Sequence, residues 1–316
     1  MNKLKIVTYD STQKRAWDDF ITNSKNGVFL FYRDYIEYHA DRFPDSSLMF
    51  FDGDGQLVAI LPATIKDGVL WSHAGLTFGG VVSGMSMKVA QMLCLFESMM
   101  AALRERGINK IIYKAIPHIY HRVPAEEDLY ALFRCGARLV RRDVSTTIEM
   151  RERLSFSKDR QGRIKLGEKH GLEMRRSFDF ETFMKIVEQL LGAKYGAKPV
   201  HTAAELRLLA ERFPDNIKLF AAYKNSEMYA GVIIYESLQV AHTQYIGTSS
   251  ERRKTGAQDL ILSYLINDYY ARKKYFDFGI STEDDGRYLN AGLIENKQGF
   301  GARAVVYDAY EIDLQK

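Results

Sequence analysis

No apolar run in these 316 residues approaches the ~20 that would cross a bilayer, and the first ten, Met1 to Asp10, lack the apolar core of an export signal. The sequence therefore predicts a cytoplasmic protein without a transmembrane segment. Cysteine is nearly missing: Cys94 and Cys135 lie far apart without metal-ligand spacing, which excludes a disulfide scaffold and a zinc cluster. Charge of one sign is missing too. A net charge of +4 argues against a nucleic-acid groove running over the molecule, and no DNA partner is expected. A Walker loop, a Gly-x-Ser-x-Gly elbow, a His-Glu-x-x-His pair and paired cysteines are all absent. No metal is expected. Isolated histidines such as His118, His121 and His201 read as packed or surface residues. What is present is an ordinary globular composition, 46% apolar and 27% charged, long enough for two domains.

Alternation and turn signals lay out the first half. A strand runs from Lys3 to Tyr9, and a helix beyond Asp10 carries Trp17, Phe20 and Ile21 on one face. A second helix is predicted over 33–42. Strands follow at Leu48–Phe51, Leu57–Ile65 and Val69–His73, with Asp-Gly turns between them. A glycine-rich loop, Gly75–Gly84, leads into a helix over 86–106, a strand at 110–116, a helix over 126–133 and a strand over 138–150. The second half repeats this order. Arg42-Phe43-Pro44-Asp45 recurs as Arg212-Phe213-Pro214-Asp215, each copy ahead of three strands of which the third carries a histidine, His73 or His242. A tandem duplication gives two related α/β domains, 1–150 and 151–316. The segment joining them, Arg151–Arg176, holds nine Lys or Arg against four acids. Its Arg160, Arg163 and Lys165 could meet a phosphate, or the segment could be a solvated linker helix.

The richest stretch is 240–310. An alternating strand, Val240 to Ile246, enters a polar loop with Arg252, Arg253 and Lys254, then Gly256 and Ala257 open a helix. Helix N-termini with a glycine turn favour anions. Arg253-x-x-Gly256 resembles the pyrophosphate motif by which acetyltransferases of the GNAT superfamily hold coenzyme A, with Gln258 where that family prefers Gly or Ala. Further on, Asp277-Phe278-Gly279, then Gly286 to Asn290, then Lys297-Gln298-Gly299-Phe300-Gly301 resemble the ending of Fem-type (FemAB-like) transferases. There is no kinase context around the Asp-Phe-Gly.

The resemblance covers nearly the whole chain and implies two tandem GNAT-like domains with mixed sheets flanked by helices, in an N-acyltransferase. The second domain would hold acetyl-CoA or another acyl-CoA through Arg252, Arg253, Lys254, Gly256 and Ala257. Backbone N–H groups at Tyr245 and Ile246 would face the carbonyl oxygen. His242, Asp277 and Lys297 are the catalytic candidates, with Glu283, Asp284 and Asp285 as further carboxylates or a solvated turn. The first domain lacks the basic turn. It is expected on the acceptor side, with His73 and Thr77, together with Arg163 and Arg287, for an amine such as an amino-sugar nucleotide or a cell-envelope precursor, and with Tyr38 and His39 as lining. A Fem-like transferase drawing on aminoacyl-tRNA is the alternative enzyme. A non-catalytic GNAT-like binding protein is the alternative outside enzymes.

Overall fold

Proline decides where the first meander divides. The strand expected over 57–65 breaks at Pro62, which has no N–H for a ladder. Its first part, β3 (Leu57–Leu61), pairs antiparallel with β2 (Leu48–Phe51), and its last part, β4 (Thr64–Lys66), pairs with β5 (Val69–Trp71). The computed structural model describes residues 4–315, the side chains of Lys194, Tyr195 and Arg253 excepted; Lys3, at the start of the expected first strand, lies outside them.

The chain falls into two units, one of Met1–Asp143, Thr282–Tyr288 and Val306–Lys316, the other of Val144–Ser281 and Leu289–Val305. The sequence expectation placed a single cut after residue 150. The observed boundary lies inside strand β8 (Arg138–Glu149), and the chain's end belongs to the first unit because Ala309–Asp313 pairs antiparallel with β7 (Lys110–Lys114).

In the first unit β1 (Lys5–Thr8), β2, β3 and β6 (Val82–Ser83) form an antiparallel sheet. Helix α1 (Lys14–Thr22) buries Trp17 and Ile21, four apart on one face. The helix expected over 33–42 is only α2 (Arg33–Ile36) followed by a tight turn. Buried Arg33 draws in Glu37 at 3.0 Å and Asp45, bending the chain back. Strand β5 runs parallel to β7, with Trp71 opposite Ile112, across helix α3 (Val89–Glu105); α4 (Glu127–Arg134) follows. Leu48, Phe50, Leu61, Phe96 and Met99 pack in the core, together with Tyr113, whose hydroxyl donates to Asp128 at 2.6 Å.

In the second unit the basic segment is no free linker. It folds into α5 (Lys158–Lys169) and β9 (Glu173–Ser177), and α6 (Phe180–Tyr195) and α7 (Ala203–Arg212) come next. Antiparallel strands β9, β10 (Ile217–Lys224), β11 (Glu227–Glu236) and β12 (Val240–Thr248) precede α8 (Ala257–Tyr264) and β13 (Tyr275–Ile280), which runs parallel to β12. Helix α9 (Ala291–Gln298) completes the unit around a core of Ile261, Leu265, Phe276, Phe278 and Phe300. Both units thus share an order: antiparallel strands, then a parallel pair joined through a helix.

Candidate active site

Strands β12 and β13 stay paired for three rows only, Val240–His242 opposite Tyr275–Asp277. Beyond them β12 continues to Thr248 against β11, with a bulge opposite Ile233 and Ile234. On the other strand the chain turns at Gly279, φ +74°, a conformation that glycine adopts without strain. A Cβ at Gly279 would stand 3.1 Å from the His242 ring. The strands part here, and the last paired row holds two of the catalytic candidates, His242 and Asp277.

Asp277 is completely buried. One carboxylate oxygen accepts from Ser145 Oγ and Thr147 Oγ1, both at 2.6 Å; the other lies 2.6 Å from His242 Nδ1 and accepts the Gly279 N–H at 3.2 Å. Burial pushes this carboxyl up, but the hydrogen bond and charge of His242 and the two hydroxyls outweigh it and hold the group below its ordinary value. An ionised Asp277 places the imidazole proton on Nδ1 and leaves the Nε2 lone pair to accept a proton. His242 retains partial exposure, 14% of its side chain.

Lys297 projects from α9 into the same turn. Its Nζ donates to the Gly279 and Ile280 carbonyls at 2.8 and 2.7 Å, and burial pushes it down to about 8 against the opposing pull of Asp277. It braces the end of β13, with one of its three protons left over. The rest of its motif is packing: Phe300 is in the core, and a Cβ on Gly301 would meet the Leu154 carbonyl at 2.4 Å.

The basic turn lies at the far end of β12, about 20 Å from His242 at ~3.3 Å per residue. Gly256 adopts φ +76° and abuts α5, so that a Cβ would sit 2.1 Å from the Arg163 carbonyl. Arg252 pairs with Glu227 at 3.1 Å, Lys254 is exposed, Ala257 is buried, and the Arg253 side chain lies outside the described residues. Gln258 accepts from the Thr248 hydroxyl at 3.1 Å. Arg160 and Arg163, two candidates for phosphate, are bound to Asp259 at 2.5 Å and Asp159 at 3.0 Å. On β12 itself the Tyr245 hydroxyl meets His201 Nδ1 at 2.9 Å and is pushed up to about 12 by burial; Ile246 lies opposite Val232.

The remaining candidates are elsewhere. His73 is enclosed, with φ +55° and ring contacts to His39 and Phe43; this differs from the expected ligand-lining role, because neither ring nitrogen reaches solvent or a hydrogen-bond partner among the described residues. Thr77 and Arg287 are exposed in the first unit, as are Glu283, Asp284 and Asp285, with Asp285 held by Arg141 at 2.9 Å. The structure therefore joins His242, Asp277 and Lys297 and leaves these apart. Ser145 and Thr147 are partners of Asp277 that sequence reasoning does not single out. The alternation Ser145-x-Thr147 puts both hydroxyls on one face of β8, but only the pairing of β8 with β13 aims them at Asp277.

Residues 155–288 match the family model for an acetyltransferase (GNAT) domain. Among solved structures, FemX is 12% identical with a TM-score of 0.67 over 96% of each chain. L-PGS from Bacillus licheniformis is 13% identical with a TM-score of 0.59, over 95% of this chain and 91% of that one. A tandem GNAT protein from the clavulanic acid biosynthesis pathway is 10% identical with a TM-score of 0.51 over 98% of each. The fold is that of a tandem GNAT-like, Fem-like acyltransferase. No curated protein matches the sequence. Among the described residues no helix is long and apolar enough to cross a membrane, and no group of three His, Cys, Asp or Glu could hold a metal ion.

Proposed function

We propose that this protein is a cytoplasmic N-acyltransferase that moves an acyl group, in the first instance acetyl, from acyl-CoA to an amine. The acceptor classes are an amino-sugar nucleotide or a cell-envelope precursor. The observation that carries this reading is the His242–Asp277 pair, 2.6 Å apart where β12 and β13 separate. The amine nitrogen attacks the thioester carbonyl carbon, His242 Nε2 takes the amine proton, the C–S bond breaks, and the thiolate leaves to be protonated. Asp277 holds the ring and stabilises the imidazolium. Backbone N–H groups of β12 near Tyr245 and Ile246 would steady the oxyanion, as such donors do in acyl transfer. The donor's diphosphate would lie at the Lys254–Ala257 turn, with its extended arm along β12. In this reading the first unit serves the acceptor side and the second the donor side, with Arg287 and Thr77 as accessible acceptor contacts.

A second donor is favoured by one observation. Arg252, Arg160 and Arg163 are already paired with carboxylates, which leaves few free cations at the diphosphate motif, and the Fem-like alternative, with an aminoacyl-tRNA as donor, does not depend on that motif.

Calorimetric and thermal-shift titration with acetyl-CoA tests the reading. Donor at ~100 times its dissociation constant should raise stability by about 2.7 kcal/mol. Arg253→Ala should abolish the gain, and His242→Gln should keep it while transfer to amines is lost. No gain with the wild-type protein would sink the coenzyme A donor. Transfer that survives His242→Gln would sink the base.

A further inference from the structure

At the other ends of β12 and β13 lies a cavity of ≈ 560 Å³ lined by Arg151, Arg272, Lys273, Lys274, Leu238 and Gln239, with no carboxylate in its wall. The backbone fixes its three segments together. The Met150 N–H donates to the Lys274 carbonyl at 2.9 Å, and the Tyr275 N–H to the Gln239 carbonyl at 3.0 Å. One of the four cations is already engaged, since Lys273 pairs with Glu236 at 2.7 Å and donates to the Ser237 carbonyl. The other three differ from the guanidiniums near Gly256. Arg151, Arg272 and Lys274 form no ion pair among the described residues, and all three are exposed. Lys274 only stands over the Tyr275 ring at 5.2 Å.

Three unneutralised cations in one concave, backbone-stitched site repel one another unless an anion joins them. Guanidinium forks and an ammonium match the oxygens of a phosphate. We propose that this cleft binds the phosphate group of a ligand, at a place separate from the Gly256 turn. Gln239 and Lys274 each stand three residues before the His242–Asp277 row, about 10 Å along the strands. A phosphate here would not compete with a donor held at the opposite strand ends.

The phosphate could belong to a soluble nucleoside diphosphate or to a phospholipid headgroup, with Leu238 as the apolar contact in the second case. Calorimetry with inorganic pyrophosphate and uridine diphosphate, and co-sedimentation with phosphatidylglycerol vesicles, separate the two. The Arg272→Glu/Lys274→Glu double variant should weaken binding about tenfold or more, and Arg151→Gln by a smaller factor, with Arg15→Ala, at an exposed cation of the first unit, unchanged. All four positions are exposed, and circular dichroism confirms the folded state. Cleft-dependent binding of the soluble anions alone assigns a free phosphate, and of vesicles alone a headgroup. Absence of binding to every probe overturns the proposal, as does binding that the cleft variants leave unchanged or that falls as far in Arg15→Ala.

Discussion

The two units place a histidine at matching points of matching folds and give it opposite company. In the second unit His242 faces Asp277 across the last row of a parallel pair. In the first, β5 pairs with β7 only up to Trp71 and Ile112, and His73 turns out of the strand at φ +55° against the His39 and Phe43 rings, within reach of the Lys114 charge. A carboxylate stands in one place and an ammonium in the other. Asp277 accepts from Nδ1 of His242 and leaves Nε2 with its lone pair. Burial, with the charges of His39, Lys114 and Arg33 adding to it, instead drives His73 down to about 3, so its ring stays neutral and enclosed. Lys114, held down to about 7 by burial and by Arg141, donates to the carbonyls of Ala74 and Leu76. It braces a loop in the first unit as Lys297 braces the end of β13 in the second. A shared topology therefore does not carry a shared chemistry; the burial and the charged neighbours of each histidine separate a candidate catalytic pair from an enclosed ring.

The largest effect that would sharpen this contrast is on turnover. His242→Gln should lower kcat by about 10²–10⁴-fold with donor binding intact, the range of general-base catalysis, whereas His73→Asn should leave kcat within twofold. Equal losses in steady-state assays would break the comparison. Next comes stability. Asp277→Ala strands His242, Ser145 and Thr147 around a buried hole and should cost about 3–5 kcal/mol in urea unfolding; an unchanged midpoint would mean the carboxylate does not organise the site. Gly256→Ala meets the Arg163 carbonyl and a left-handed backbone, and should cost about 1–3 kcal/mol.

Acid separates the units more gently. The folded chain keeps His73 neutral down to about 3, while the unfolded chain takes up a proton below about 6.5. Stability is therefore full above that value and falls as pH drops from about 6.5 towards 3, by up to ~1.4 kcal/mol per unit. His73→Asn, which tolerates the left-handed backbone, should flatten the fall of melting temperature across that window. The flattening is partial, because His121 is likewise held down to about 4 by burial. The smallest change is expected at the surface: Arg252→Ala removes an exposed pair with Glu227 and should leave the melting temperature unchanged.

Much of this was legible from residue order alone. Alternation and turns marked β2, α3, β7, α4 and β8 to within a few residues. The Arg-Phe-Pro-Asp repeat marked the doubled plan, and the third-strand histidines were picked out in both copies. Local chemistry determines such features: side-chain period, glycine and proline geometry, and the charge of a turn act over a few residues. What only the tertiary structure decided depends on which strand lies beside which. Pairing β8 to β13 turned Ser145 and Thr147 towards Asp277. The length of the β12–β13 ladder put His242 at the point of separation, and the packing of α5 on α8 gave Arg160, a phosphate candidate in the sequence, to Asp259. These pairings join residues 35 to 132 apart in the chain, and no local pattern encodes the register in which they meet.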